Sequence, residues 1–361
     1  MLSRSNILYL SRNMAGYRFA GYQQEVIDEL DRQANVGLYG PGYKAYDDRD
    51  SIKDVLKKDS RSIDLIIIGH SWLSDEEGEQ VDPHPRLNLS SANIPSVAIL
   101  NKEYVNLDQK LLYYVKNGVS LVFSHHHAID VYARQTGIRF IFWPFGFDRN
   151  KYFMGENLPR DIDLMFSGIL QNQNKKAEQS VIRPMVMNKL FHCIGDIPFS
   201  KRRSMRSRAI MWNGIPRLHR SLIYRVVNWI PHPYRYRFID ERQYAKKLLR
   251  SRIVLNTLSP KGLVSPRYFE SMASGAMVLC EEADTYRQLF PDDCYVSFRS
   301  DLSDFLEKLV FFLDNESSRK LIASHARRMV MANHSWEKRI ATMLQHVAPL
   351  IIRKGSNYLN E

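Results

Sequence analysis

Between residues 253 and 280 the chain reads IVLNTLSPKGLVSPRYFESMASGAMVLC, and this stretch admits few folds. Two short apolar runs, 253–255 and 276–280, have the length and composition of buried parallel strands. A helix with marked ends separates them. Ser265 is placed to cap it, its hydroxyl oxygen accepting from the Arg267 or Tyr268 amide, and Pro266 takes the first helical position. Gly275 stops it as the residue just past the last turn. Strand, loop, short helix, strand is a unit of a doubly wound sheet, and the helix mouth opens at the carboxyl end of the first strand. Such sheets hold ligands there, and helix-end amides favour an anion. Arg267 adds a planar fork suited to phosphate, and Glu270 projects from the same face one turn on. A cation for a diphosphate, with a carboxylate to accept from ribose hydroxyls, describes a nucleotide-sugar site. An ordinary exposed i,i+3 ion pair is the competing reading, and local features leave the two level.

The rest of the chain alternates strand and helix patterns. Apolar runs at 6–10, 36–39, 64–69, 96–100, 120–123 and 139–143 are separated by helical patterns near 17–33, 51–58 and 107–116. A second series follows, with strands at 163–166, 253–255, 276–280 and 294–298 and helices at 177–193, 244–249 and 302–313. Alternation of this kind means parallel sheets flanked by helices. A length of 361 residues is natural for two domains. Gly16, in the first strand–helix loop, allows close approach of a ligand. His70 follows one strand directly and His125 another, and Glu103 follows a third. By location each could serve as an acceptor-side base. A zinc reading of His125, His126 and His127 is disfavoured, because consecutive residues on an extended strand cannot converge on one ion. His126 and His127 are expected to be structural.

SPRYFESMASGAMVL resembles the donor-site segment of group-1 (family 4-like) glycosyltransferases of the GT-B fold, and its Arg-x-Phe-Glu form is similar to the spore-coat-type branch. WPFGFDRNKYF resembles the interdomain turn of that family, and His334–Ser335–Trp336 its C-terminal helix. The resemblance implies two Rossmann-like doubly wound α/β domains facing a cleft. Residues 1–150 would form the acceptor side and 151–335 the donor domain, with 336–361 crossing back. It implies a donor-binding set of Gly16, Gly168, Lys175, Lys176, Val264, Ser265, Arg267 and Glu270, with His70 and His125 as the catalytic candidates. It departs from the family at Ile169, where an arginine is usual, and at Gly262, where a first glutamate is usual. The implied reaction moves a sugar from a nucleoside-diphosphate sugar to a glycan or glycolipid. The acidic pairs Asp47–Asp48 and Asp292–Asp293 read as turns, and neither metal nor cofactor is expected.

Charge is unevenly spread. The chain carries a net +12, yet residues 1–150 hold 17 Lys+Arg against 19 Asp+Glu. Residues 201–237 hold ten basic residues and no acidic one. Within them an amphipathic helical spacing at 217–230 includes Trp229, open between an ordinary surface helix and a basic helix on an anionic membrane. Nothing resembles a nucleic-acid-binding signature, so a nucleic-acid protein is the minor alternative, beside a GT-B-shaped binder without turnover. No apolar run is long enough to span a bilayer, and the first residues are too interrupted for a signal peptide. Three cysteines without metal-type spacing read as reduced thiols. The expected location is the cytoplasm, at the inner face of the plasma membrane if the basic segment meets lipid.

Overall fold

The computed structural model describes residues 4–13, 15, 21–70, 87–103, 105–153, 158–167, 211–213, 241–257 and 262–357. The chain divides into two compact units. One comprises residues 1–145 and 336–361, the other residues 146–335.

The first unit is built on six parallel strands: β1 (Asn6–Leu10), β2 (Asn35–Tyr39), β3 (Leu65–Ile68), β4 (Ser96–Leu100), β5 (Leu121–Ser124) and β6 (Arg139–Phe142). Their spatial order is β2-β1-β3-β4-β5-β6. The order reverses between β1 and β3, and in open α/β sheets that reversal leaves a crevice at the carboxyl ends. β3 and β4 are buried along their whole length, as parallel strands covered on both faces must be. The helices are α1 (Gly21–Gln33), α2 (Ile52–Lys58), α3 (Leu107–Lys116) and α4 (Ile129–Thr136). Ser51 starts α2 with a capping box, its hydroxyl accepting from the Asp54 amide while the Asp54 carboxylate accepts from the Ser51 amide. The sequence pattern leaves α4 unmarked, because Tyr132 is its one buried side chain and no apolar period results.

The second unit carries α5 (Arg149–Phe153), β7 (Ile162–Ser167), β8 (Met211–Asn213), α6 (Glu241–Arg250), β9 (Ser251–Asn256), α7 (Pro266–Ala273), β10 (Met277–Glu281), β11 (Val296–Phe298), α8 (Phe305–Asp314) and α9 (Glu316–Asn333). Its five parallel strands are ordered β11-β10-β9-β7-β8, so the reversal falls between β7 and β9. The final helix, α10 (Trp336–Asn357), belongs to the first unit and packs on α1. Ile340, Met343 and Val347 are buried at helical spacing. The Trp336 indole donates to the Glu25 carboxylate at 2.8 Å, and the Trp143 indole donates to the Arg339 carbonyl at 3.0 Å. Among the described residues no helix is long and apolar enough to cross a membrane. The expected helices at 177–193 and 217–230 lie outside the described residues.

Candidate functional site

In the second unit β9, α7 and β10 form the strand–helix–strand expected from 253–280, with β9 and β10 paired in parallel. Ser265 is the N-cap residue, extended at φ −73° and ψ 163°, with Pro266 following. The anticipated capping bond is not made. The Ser265 hydroxyl instead accepts from Arg267 Nε at 3.4 Å, and its backbone carbonyl accepts from the Tyr268 amide at 3.2 Å. A charged guanidinium two residues away outcompetes the amide for that oxygen. Val264 is buried beside it, and Arg267 and Glu270 are half-buried. The Glu270 carboxylate accepts from the Tyr244 hydroxyl of α6 at 2.8 Å, which fixes it against a neighbouring helix. It is therefore not a solvated surface charge.

The far end of α7 is clamped. Arg160 donates to the carbonyls of Ser251 (2.5 Å) and Ser274 (2.7 Å), tying the helix terminus to the start of β9. Burial pulls the Arg160 guanidinium down to about 10, so it stays charged at neutral pH and suits the negative helix end. Gly275 follows at φ +75°, and a Cβ there would meet Arg160 Nη2 at 2.8 Å. Gly275→Ala is expected to cost about 1–3 kcal/mol, from left-handed strain and the displaced clamp, read as a lowered urea midpoint. Tyr268 is held from the side by Tyr286, hydroxyl to hydroxyl at 2.6 Å.

One residue of this region escapes sequence reasoning. Asn256 closes β9 and is 1% exposed, yet neither its Oδ1 nor its Nδ2 has a hydrogen-bond partner. Burying an unsatisfied amide costs about 1–3 kcal/mol. The available signal was a lone polar residue ending IVLN, which reads as nothing more than a strand terminus.

In the first unit, His70 and His125 meet at the carboxyl ends of β3 and β5. They are 7% and 3% exposed, and their Nε2 atoms lie 3.0 Å apart. The ring planes differ by 11° with centroids 5.2 Å apart. The N–N contact takes up most of that separation, so the rings meet edge to edge. A carbonyl only accepts, so His125 Nδ1 donates to the Trp143 oxygen at 2.7 Å. His125 Nε2 is then the acceptor, His70 Nε2 the donor, and His70 Nδ1 accepts from the Tyr9 hydroxyl at 3.4 Å. Phe145 stacks on His125 at 3.8 Å, and Tyr22 meets His70 edge-on at 5.5 Å. Burial holds both histidines neutral, His125 lowered to about 3 and His70 well below its usual range.

Glu103 is 1% exposed and accepts through Oε1 from the Ser124 hydroxyl at 3.0 Å and the His126 amide at 3.2 Å. It braces the turn that carries His125, and burial raises its carboxyl. Beside it Lys102 adopts φ +52°, with the Lys110 ammonium donating to the Asn101 carbonyl at 2.8 Å. His126 accepts the Ala128 amide on Nδ1, a structural bond. Among the described residues no three of His, Cys, Asp and Glu group as metal ligands. Gly16, Gly168, Lys175 and Lys176 lie outside the described residues.

Comparison with known proteins agrees with this layout. Residues 202–345 match the family model described as glycosyl transferase-like. No curated protein matches the chain in sequence. Among solved structures, sucrose-phosphate synthase from Thermosynechococcus elongatus superposes with a TM-score of 0.63 at 13% identity, covering 97% of this chain and 100% of that one. A glycosyltransferase from Rickettsia africae gives 0.64 at 12%, covering 97% and 99%. Anabaena HepE, in complex with UDP and glucose, gives 0.59 at 13%, covering 95% and 99%. The match to a glycosyl transferase-like family model thus spans residues 202–345, and the chain has the two-sheet fold of the GT-B glycosyltransferases.

Proposed function

We propose that the protein transfers a sugar from a nucleoside-diphosphate sugar to a glycan or glycolipid acceptor, without a metal ion. The observation that carries this reading is the mouth of α7, where Ser265, Arg267 and Glu270 gather at the carboxyl end of β9. Negative charge grows on the leaving diphosphate as the sugar–phosphate bond breaks. A helix N-terminus and a fixed guanidinium stabilise it without reorganising. Gly16, Gly168, Lys175 and Lys176 join the donor side in this proposal. The acceptor side is given to the His70–His125 pair with Glu103. The complex of Anabaena HepE with UDP and glucose supports UDP as the first probe. Membership of the spore-coat-type branch, a place in envelope polysaccharide assembly and a membrane contact through 201–237 belong to the same proposal.

UDP or GDP at about 100 times Kd is expected to raise the unfolding temperature by a few degrees. Arg267→Ala and Glu270→Ala should each weaken that nucleotide by roughly tenfold to a hundredfold, the worth of a hydrogen bond to a charged group. Wild-type-like binding by both variants would remove the donor assignment. A second reading, a GT-B-shaped binder without turnover, draws on Gly262. It sits at φ +72° with Thr285 Cγ2 3.3 Å from where a Cβ would be, so the backbone there disfavours a glutamate. Hydrolysis or transfer from UDP-glucose, followed by released UDP, separates the two.

A further inference from the structure

We propose that Asn256 contacts the bound donor, its carboxamide engaging a vicinal pair of hydroxyls on the nucleotide sugar. The inference rests on the transferase reading and deepens it. Asn256 closes β9, and β9 borders β7 where the order of the second sheet reverses. Open α/β sheets hold ligands outside the carboxyl ends at that reversal. The mouth of α7 opens beyond the same strand end. A buried carboxamide with both polar atoms unpartnered stands at this place.

Its direction follows from the strand. Ile253 and Leu255 belong to an apolar cluster with Phe298, Phe305 and Leu309, and that cluster takes in no residue of α7. Alternation along β9 puts Val254 and Asn256 on the other face, the one α7 covers. Register sharpens the contrast. Trp212, Phe166, Leu255, Leu279 and Val296 form one row across the five strands, and every one is apolar. One residue further, Asn256 pairs with Cys280 and Cys280 with Ser297. The sheet passes in a single step from apolar to small and polar, at the edge where a ligand would lie.

The carboxamide fixes the chemistry of the partner. Nδ2 donates and Oδ1 accepts. A phosphate oxygen only accepts and would leave Oδ1 unanswered. Adjacent hydroxyls satisfy both atoms, one accepting from Nδ2 and its neighbour donating to Oδ1. Ribose and the transferred sugar each supply such a pair.

The test is Asn256→Leu, near in volume and apolar, with Asn256→Ala as a second variant that removes the carboxamide without filling its place. Unliganded Asn256→Leu should unfold at the same temperature as wild type or higher, since no internal bond is lost. Its affinity for the donor, measured by titration calorimetry, should fall at least tenfold, and Asn256→Ala should show the same loss. If UDP itself is weakened and the variant no longer distinguishes UDP from 2′-deoxy-UDP, the hydroxyls are those of the ribose. If UDP binds as in wild type and only the additional affinity of UDP-glucose disappears, they belong to the transferred sugar. Wild-type affinity for UDP and UDP-glucose in either variant overturns the inference while leaving the donor site standing. Should wild type bind none of the uridine, guanosine or adenosine diphosphates or their glucose conjugates, the transferase reading falls and takes this inference with it.

Discussion

Gly69→Ala is expected to destabilise the first unit by about 2–3 kcal/mol, the upper part of the range for overpacking a filled site. A Cβ at position 69 would lie 2.5 Å from Tyr9 Cε1, 2.6 Å from Cζ and 2.7 Å from the hydroxyl. These atoms are the far edge of a rigid ring, not the tip of a flexible chain. The Tyr9 ring cannot yield, since it is 1% exposed on β1, in register with Ile67 of β3. Gly69 is itself fixed by its amide, which donates to the Leu10 carbonyl at 2.8 Å. Tyr9→Phe keeps the crowded ring atoms and should not relieve the clash. Tyr9→Leu clears them, so Gly69→Ala and Tyr9→Leu together should cost less than the sum of the two singly. Urea midpoints of the four proteins measure this coupling, and simple additivity would show that the ring is not what excludes a side chain at 69.

The same geometry shows where the sequence is legible. β1, β3 and β4 announce themselves because a strand covered on both faces must be largely apolar, as LIII and the VAIL of β4 are. α7 is legible because Pro266 and Gly275 obey backbone rules that neighbouring residues cannot alter. What a polar side chain does at the end of an element is set elsewhere. Ser265 occupies the expected position, yet its hydroxyl turns to Arg267. Asn256 looks like any strand terminus until the sheet buries it, paired with Cys280 of β10. His70 and His125 stand 55 residues apart on strands separated by β4, so only the order β3-β4-β5 brings their rings together. Either histidine alone suggests a base. Together each ring nitrogen already serves a bond within the Tyr9–His70–His125–Trp143 chain.

Acid should expose that chain. A histidine lowered in the folded state binds its proton more readily once unfolded, so stability is complete above the unfolded value near 6.5 and is lost as pH falls toward the folded value. With His125 lowered to about 3, it should remove about 1.4 kcal/mol for each pH unit below 6.5, and His70 acts in the same direction. By pH 4.5 the loss from His125 alone is roughly 3 kcal/mol, a large share of the 5–15 kcal/mol that holds a typical domain together. The charges around the pair favour this outcome. Arg339 bears on His125 and opposes its protonation, while Trp143, Phe145, Tyr22 and Tyr9 offer no compensating anion. Glu103 works the other way, since its carboxyl is raised by burial and its contribution is lost as pH rises, but it is one group against two. His125→Gln should flatten the acid limb of the urea midpoint between pH 6.5 and 4.5 by about one proton's worth, at some cost in stability at pH 7.5 from the lost bond to the Trp143 carbonyl. Imidazole nitrogen shifts measured by NMR should show His125 protonated on Nδ1 and His70 on Nε2 down to pH 5. A His125 that titrates near 6.5, or an acid limb identical in wild type and His125→Gln, would dismantle the neutral pair.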